Sequence, residues 1–272
     1  MLLHAHAKLN WTLDVLYRRT DGYHELDTLM APLELCDELI FKDCDGIAIS
    51  CPDVPQERNT AYRAAKMYFS RAHLPERAHI TIKKHIPVQA GLGGASADAA
   101  AVLRMLEQLH GALGNEALYT LAREIGTDVP FCLYGKSARC RGIGEKLTPL
   151  TMQPFDVLLV KPRTGVSTRA LFCALDTTAV VHPDTAGAMS ALCSSDIEAL
   201  GALIGNALIT HAIKLVPRIE QLLTRLKLCG ALGASMSGSG SCCFGLFATH
   251  AEALKAQENF TDCDFALACR TI

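Results

Sequence analysis

The sequence lacks the features that mark membrane, secreted and nucleic-acid-binding proteins. It has no apolar run of about eighteen residues, and the apolar stretches at residues 155–160 and 199–209 are short or interrupted. Lys8 and Asn10 come too early to leave room for the apolar region of a signal peptide. A net charge of −2 over 272 residues gives no overall attraction to nucleic acid or anionic lipid. These absences predict a cytoplasmic protein without a membrane or nucleic-acid partner.

Motifs for metal ions and disulfides are missing as well. The 12 cysteines contain no C-x-x-C pair and the 10 histidines no H-E-x-x-H motif. The irregular cysteine spacing, without a secretory signal, disfavours disulfides. We therefore expect free thiols that pack as small apolar groups. There is no internal repeat, and the length favours two domains.

The clearest positive feature is a glycine-rich stretch at residues 87–101, which reads Pro-Val-Gln-Ala-Gly-Leu-Gly-Gly-Ala-Ser-Ala-Asp-Ala-Ala-Ala. Gly91, Gly93 and Gly94 allow positive φ angles, and Ser96 stands where the N-cap of the following alanine-rich helix is expected. A helix N-terminus behind such a loop is an anion site, most often for phosphate. A plain helix start with a flexible lead-in is the alternative.

The known glycine-loop motifs do not fit this stretch. No Gly-Lys-Ser/Thr closes it, so it is not a Walker A loop. Ser96 stands where the dinucleotide fingerprint has its third glycine. We interpret the stretch as a phosphate loop of another class, whose lysine would be Lys8 or Lys84.

The first half of the chain predicts strands and helices around this loop. Alternation over residues 3–9 predicts a strand that carries Lys8 and Asn10 on one face. Asn59 is a candidate cap for a helix over residues 59–69, and residues 78–82 alternate as a strand. Further helices are expected over residues 96–109 and around residues 118–125, and residues 33–49 predict two short strands.

Two short polar segments, Tyr23-His24 and the one at Asp128, have two interpretations each. Tyr23 and His24 follow an Asp-Gly turn, and spacing alone favours ordinary surface residues at a hairpin. Asp128 precedes Val-Pro-Phe, which suits either a helix cap or a functional carboxylate.

The second half predicts a compact α+β unit after a domain boundary near residues 151–154. We place the domains at residues 1–152 and 153–272. Helices against an antiparallel sheet fit a ferredoxin-like layer. The predicted strands are residues 155–160, 231–237, 242–247 and 264–270, and the predicted helices are residues 168–175, 195–204, 207–215, 217–226 and 250–259.

Six short motifs, taken in order, resemble those of the GHMP kinases, the superfamily of galactokinase, homoserine kinase and mevalonate kinase. Within it the chain is most similar to the 4-diphosphocytidyl-2-C-methyl-D-erythritol kinases. The motifs are Ala-Lys-Leu-Asn at residues 7–10, Asp-Gly-Tyr-His-Glu-Leu at 21–26, the glycine stretch at 87–100, Gly-Thr-Asp-Val-Pro-Phe at 126–131, Gly-Val-Ser-Thr at 165–168, and Gly-Ala-Ser-Met-Ser-Gly-Ser-Gly at 233–240.

The resemblance implies a two-domain α+β fold, with an N-terminal domain like domain 2 of ribosomal protein S5 and a ferredoxin-like C-terminal domain. It implies transfer of the ATP γ-phosphate, with Mg²⁺ expected, to the 2-hydroxyl of a cytidine-diphosphate-linked methylerythritol on the route to isoprenoids. The implied site residues are Asp128 as catalytic base with Lys8 as partner; Asn10, Tyr23, His24, Thr168 and Phe172 for the acceptor, with Tyr23 and Phe172 enclosing the cytosine and His24 reading its edge; and Asn59, Lys84, Pro87, Val88, Gln89, Ala90, Gly91, Leu92, Gly93, Gly94, Ala95, Ser96 and Ala97 for the nucleotide.

The loop departs from the family pattern Gly-Leu-Gly-Gly-Gly-Ser-Ser at two positions. Ala95 replaces a glycine and is expected to narrow the allowed backbone angles. Ala97 replaces a serine, which leaves Ser96 as the hydroxyl candidate and the metal ligands unknown. The alternatives are another small-molecule GHMP kinase and a nucleotide-binding regulator that does not turn over. The oligomeric state is not predicted.

Overall fold

A computed structural model describes residues 1–52, 54–175 and 180–272. The chain forms two compact units, each built from segments that are separate in sequence. Unit 1 contains Met1–Ala7, Leu35–Ile86 and Gly93–Gly135, and unit 2 contains Lys8–Glu34, Pro87–Leu92 and Lys136–Ile272. The predicted division between residues 152 and 153 does not follow these units and stays a prediction.

The strands of the described residues are, in chain order, β1 (Leu2–Arg18), β2 (His24–Lys42), β3 (Gly46–Ser50), β4 (Arg77–Lys83), β5 (Ala138–Gly142), β6 (Lys146–Pro149), β7 (Asp156–Lys161), β8 (Gly205–Asn206), β9 (Gly233–Met236), β10 (Cys243–Phe247) and β11 (Phe265–Arg270). The α-helices are α1 (Thr60–Ala72), α2 (Gly94–His110), α3 (Gly114–Ile125), α4 (Val129–Tyr134), α5 (Thr168–Leu175), α6 (Thr185–Ser194), α7 (Ile197–Leu203), α8 (Ile209–Leu215), α9 (Arg218–Leu228) and α10 (His250–Gln257).

Unit 1 packs helices against a small sheet. β4 pairs antiparallel with the second half of β2 and parallel with β3. α2 packs against α1 and α4, and α3 packs against the same two helices. Asn59 caps α1 as predicted, because its Oδ1 accepts a hydrogen bond from Ala61 N at 2.9 Å.

Unit 2 contains an antiparallel four-stranded sheet in the order β11-β7-β10-β9. Counted along the chain these strands are fourth, first, third and second, which is the order of a ferredoxin-like layer. α9 and α10 pack on this sheet. Leu158, Phe247 and Phe260 are fully or almost fully buried in the resulting core, so the predicted C-terminal layer is confirmed.

The long strands β1 and β2 contribute residues to both units. Within unit 2, β1 pairs parallel with the two-residue strand β8 through Thr12 and Leu13, and β2 pairs antiparallel with β5. Trp11 of β1 packs edge-on against Phe155 at 5.6 Å and Phe244 at 5.8 Å between ring centroids. Most of β1 is therefore buried.

Some predicted elements differ from the observed ones. The two strands predicted over residues 33–49 are present as the second part of β2 and as β3, with the break between the strands at residues 43–45. The prediction was wrong only about the start of the first strand, because β2 already begins at His24. α6 was not predicted, although Asp184 caps it by accepting from Gly187 N at 2.9 Å. The other predicted elements of the second half are present with shifted ends.

The 12 cysteines are free thiols, as expected. The expectation that they pack as small apolar groups holds for the five that are buried, including Cys242 and Cys243, and not for the seven that are partly or fully exposed. Burial raises the pKa of the Cys242 thiol to about 12. In the described parts of the chain, no helix is both long enough and apolar enough to cross a bilayer.

Candidate active site

Lys8 and Asn10 lie on the same face of β1, as predicted, and both are buried. Lys8 Nζ donates to Asn10 Oδ1 at 2.5 Å. Asn10 Nδ2 donates to Thr28 Oγ1 at 2.8 Å, and Thr28 Oγ1 donates to the carbonyl of Thr12. The amide of Asn10 is thus oriented from both ends and presents its oxygen to the ammonium group.

The glycine loop is fixed through its carbonyl groups. Four successive carbonyl oxygens, those of residues 89–92, each accept a hydrogen bond from unit 2. The donors are, in that order, Ser241 N at 3.1 Å, Cys242 N at 3.1 Å, Ser237 Oγ at 3.0 Å and Lys8 N at 2.9 Å. The loop is therefore held between the first and last of the six motifs, with its carbonyls directed to the protein.

The backbone angles of the loop alternate in sign. Gln89, Gly91 and Gly93 have φ angles of 53°, 72° and 72°, whereas Ala90 and Leu92 are not among the residues with positive φ. Alternation of right- and left-handed residues directs successive N–H groups into one concavity, a backbone nest that binds anions. This geometry suits the predicted phosphate loop.

Close packing explains two of the glycines. A Cβ on Gly91 would overlap the carbonyl oxygen of Ser237, and its φ is also left-handed. A Cβ on Gly238, whose φ is 55°, would lie 2.8 Å from Lys8 Nζ and 2.9 Å from the carbonyl oxygen of Gly91. Gly91 and Gly238 thus allow the loops of the middle and last motifs to pack against each other, and Gly238 also leaves room for the Lys8 ammonium group.

The prediction that Ser96 is the N-cap is wrong. α2 begins at Gly94, and Gly93 in the left-handed conformation is its cap. Ala95 lies in the first helical turn, where alanine is the best residue, so it does not constrain the loop. Ala97 is buried and Ser96 is half-buried. Of the two positions, residue 96 is therefore the more accessible, and its side chain carries a hydroxyl group.

Lys84 is the centre of a buried charged cluster in unit 1. Its Nζ contacts Asp37 and donates to Asp98 Oδ2 at 2.7 Å. Asp37 also accepts from the backbone N–H groups of His85 at 2.6 Å and Ile86 at 2.8 Å. A Cβ on Gly94 would lie 3.4 Å from Lys84 Nζ, so the ammonium group lies beside the first residue of α2.

The charges of this cluster shift the pKa values of its members. Burial alone would lower the pKa of Lys84, but attraction to Asp98 and Asp37 outweighs it and raises the value. Burial raises the pKa of Asp98 to about 7, with help from the charge of Asp37 and against the opposing effect of Lys84. Asp98 Oδ1 is buried without a hydrogen-bond partner, which is costly for an ionised carboxylate.

Sequence reasoning missed Asp37 and Asp98. A signal was available for Asp98, because it is the one charged residue within the alanine-rich first turns of α2. Asp37 lies in an apolar strand, and its pairing with a lysine 47 residues away gives no local pattern.

The turn that carries Tyr23 and His24 is held by charged groups. Arg19 contacts Asp21 and Glu25, each at 2.9 Å, and Asp21 Oδ1 accepts from Tyr23 N at 3.1 Å. The hydrogen bond from Arg19 lowers the pKa of Asp21. The turn is thus ordered while the Tyr23 side chain stays 55% exposed.

Two of the predicted acceptor residues lie together at this turn. The rings of His24 and Phe172 are 5.3 Å apart between centroids and tilted by 38°. The hydroxyl groups of Thr168 and Ser239 are 2.7 Å apart, so Thr168 contacts the glycine-serine loop between β9 and β10. Ser239 belongs to the last of the six motifs but was not predicted as a site residue.

Asp128 occupies the N-cap position of α4, but its side chain makes no capping hydrogen bond. Asp128 is therefore the N-cap residue by its position in the backbone, but its carboxylate does not cap the helix. Asn59 Oδ1 is used by the cap of α1, which leaves its amide nitrogen as the group that could donate to a ligand. No group of three or more His, Cys, Asp or Glu side chains suited to a metal ion occurs among the described residues.

Comparisons with known proteins decide between the remaining interpretations. Residues 59–136 match the GHMP kinases N terminal domain and residues 188–263 the GHMP kinases C terminal domain. The chain is 42% identical over 266 residues to a 4-diphosphocytidyl-2-C-methyl-D-erythritol kinase of Caldicellulosiruptor saccharolyticus, covering 95% of this chain and 92% of the relative. It is 38% identical over 270 residues to the enzyme of the same name from Acetivibrio thermocellus, covering 97% and 95%.

The chain belongs to the 4-diphosphocytidyl-2-C-methyl-D-erythritol kinases of the GHMP kinase family. A crystal structure of 4-(cytidine 5'-diphospho)-2C-methyl-D-erythritol kinase has a TM-score of 0.87 and 36% identity, and the match covers 100% of this chain and 99% of that one. Homoserine kinase from Cytophaga hutchinsonii has a TM-score of 0.73 at 20% identity, which shows a shared fold alone. The predicted family and two-domain GHMP kinase fold are confirmed.

Proposed function

We propose that this kinase transfers the γ-phosphate of ATP to the 2-hydroxyl of 4-diphosphocytidyl-2-C-methyl-D-erythritol, a step towards isoprenoid precursors. The relatives with this name match nearly the whole chain. The structural observation that supports the proposal is the arrangement around Lys8. Its ammonium group contacts Asn10 and occupies the space that a side chain at residue 238 would need, and its backbone N–H donates to the glycine loop.

The glycine loop is the proposed site for the ATP phosphates. Its carbonyls are bonded to the protein, and φ angles that alternate in sign are typical of backbone nests, whose N–H groups bind anions. The N-terminus of α2 adds a favourable dipole for anions. Asn59 and Lys84 are the proposed contacts of the rest of the nucleotide.

Mg²⁺ is the expected metal ion. Magnesium in kinases is held by one or two side chains together with substrate phosphates. The described residues fit this, since they offer no dedicated metal cluster and Ser96 supplies a half-buried hydroxyl at the start of α2. When bound, the ion would neutralise charge on the phosphate oxygens.

The acceptor is proposed to be recognised through its cytosine. Tyr23 is an exposed ring on an ordered turn, and Phe172 lies beside His24. Tyr23 and Phe172 would stack on the base, and His24 would bond its edge. Thr168 would bind the methylerythritol part. Asn10 would help to hold the same part of the substrate, because its hydrogen bond fixes the position of Lys8.

The proposed chemistry needs one base and one cation. The acceptor oxygen forms a bond to the γ-phosphorus as the bond from phosphorus to the ADP oxygen breaks, and the hydroxyl proton passes to the carboxylate of Asp128. A carboxylate is too weak a base to remove an alcohol proton early, so Asp128 orients the hydroxyl and accepts the proton late. Lys8 offsets negative charge on the transferred group.

The domain boundary at residues 152 and 153 and the cytoplasmic location remain part of this proposal. The two family matches lie on either side of that boundary.

A coupled assay of ADP release tests the proposal. The purified chain is given ATP with the cytidylated diol, mevalonate or homoserine in parallel. We expect ADP release with the cytidylated diol alone. Release with mevalonate or homoserine would indicate another GHMP kinase activity, and ATP binding without release would indicate a regulator.

A further inference from the structure

Gln89 is an unusual residue of the glycine loop because its φ of 53° is left-handed and it is not glycine. The other non-glycine residues with positive φ in the described chain are His73 and Ser195. Both end helices, where left-handed residues are common. Gln89 does not end a helix. A side chain kept in this conformation away from a helix end points to a functional constraint.

The side chain of Gln89 lies over Gly165. A Cβ placed on Gly165 would be 2.7 Å from Gln89 Cβ and 3.2 Å from Gln89 Cδ, and would overlap Oε1. The φ of Gly165 lies outside the left-handed region. Glycine is therefore required at residue 165 by the space that Gln89 fills, and not by its own backbone.

Gln89 contacts the two chain segments that carry Thr168 and Ser239. Gly165 is three residues before Thr168, whose hydroxyl is 2.7 Å from that of Ser239. The carbonyl oxygen of Gln89 accepts from Ser241 N at 3.1 Å, two residues after Ser239. The side chain of Gln89 thus packs on the segment that carries Thr168, and its main-chain carbonyl bonds the segment that carries Ser239.

We propose that Gln89 is a positioning residue for the acceptor, because its side chain sets the distance between the phosphate loop and the 165–168 segment that carries Thr168. This inference rests on the proposed function, which assigns acceptor binding to Thr168. Gln89 is exposed apart from its contact with Gly165. Its removal should therefore change acceptor binding more than folding.

The test is a double-mutant cycle with Gln89→Gly and Gly165→Ala. Glycine suits a left-handed φ, so the Gln89→Gly variant is expected to fold. We expect the acceptor KM to rise about fivefold or more and the ATP KM to rise by a clearly smaller factor, since a misplaced contact weakens mainly the substrate it holds.

Gly165→Ala should be harmful in the wild-type chain and nearly neutral when Gln89 is glycine, because the clash needs the Gln89 side chain. We expect a coupling of about tenfold in acceptor kcat/KM, within the range for residues in contact. Gln89→Asn is the matched control. Asparagine tolerates the left-handed region and retains Cβ, so it should not suppress Gly165→Ala.

Urea unfolding of the same variants gives a readout that does not depend on activity. In the free energy of unfolding too, Gly165→Ala should be destabilising in the wild-type chain and nearly neutral when Gln89 is glycine. If the chain has no kinase activity, the proposed function is overturned, and the unfolding data still test the Gln89–Gly165 contact. Equal harm from Gly165→Ala in the wild-type and Gln89→Gly chains would overturn the contact. An acceptor KM unchanged by Gln89→Gly, or raised equally with that for ATP, would overturn the positioning role.

Discussion

The ammonium group of Lys8 lies 2.5 Å from the side-chain oxygen of Asn10, and both residues are almost completely buried. Asn10 is fixed in turn by its hydrogen bond to Thr28. The lysine that we propose to stabilise the transferred phosphate is therefore oriented by a neutral hydrogen-bond partner.

Asn10→Ala should lower kcat by about tenfold to a hundredfold, because Lys8 loses a hydrogen bond that fixes its position. The ATP KM should change little. Steady-state kinetics measures both values. Thr28→Val is the control, since it removes the acceptor of the Asn10 amide nitrogen and keeps the contact of Asn10 with Lys8, and it should have the smaller effect on kcat.

Tyr23→Ala should raise the KM for the cytidylated acceptor about tenfold or more, because a base-stacking face contributes about 1–3 kcal/mol. The ATP KM should stay within about twofold. Tyr17→Ala is a matched control, because Tyr17 is also an exposed tyrosine, 60% accessible, and we assign it no role. Equal changes in the two KM values would contradict the cytosine assignment.

Gly91→Ala should destabilise the protein more than Gly22→Ala. Both glycines have left-handed φ angles, of 72° and 87°, but nothing lies within 4 Å of a Cβ on Gly22. Gly22→Ala should cost about 1–2 kcal/mol for its backbone alone. Gly91→Ala should cost about 2–5 kcal/mol because it also overlaps the Ser237 carbonyl. Urea unfolding measures the two values, and equal losses would show that the loops are not closely packed.

Asp98 should make stability depend on pH. Burial raises its pKa from 3.8 to about 7. Between these pH values the folded chain retains a proton that the unfolded chain has released. The free energy of unfolding therefore contains a part that falls as pH rises from about 4 to about 7.

Asp98→Asn removes this part. Relative to the wild type, the variant should become more stable as pH rises from 5 to 8, as measured by urea unfolding at each pH. A constant difference between the two proteins across that range would show that Asp98 does not titrate there.

The sequence was sufficient for elements with a strong local pattern. Asn59 before an amphipathic run predicts α1 and its cap, and the alternation in β4 gives its strand. The first part of β2 was missed in prediction because a strand that is largely buried loses its alternation. β8 has two residues and exists through its pairing with β1, which no local pattern reports. α6 is rich in small residues and has a weak apolar face.

The candidate site residues were predicted from motifs, and the tertiary structure adds the contacts among them. Order along the chain was enough to select Lys8, Asn10 and the glycine loop. The hydrogen bonds that fix the loop, and the contact of Gln89 with Gly165, depend on residues more than 70 positions apart. The start of α2 was misplaced because a left-handed glycine can cap a helix without a side chain.

The most direct test of the account is turnover of Asp128→Asn with ATP and the cytidylated diol, followed by ADP release and by ATP binding. The isosteric amide keeps the shape of the side chain and cannot accept the hydroxyl proton. We expect kcat to fall by about a hundredfold or more while ATP still binds. Turnover close to that of the wild type would contradict the assignment of Asp128 as the base.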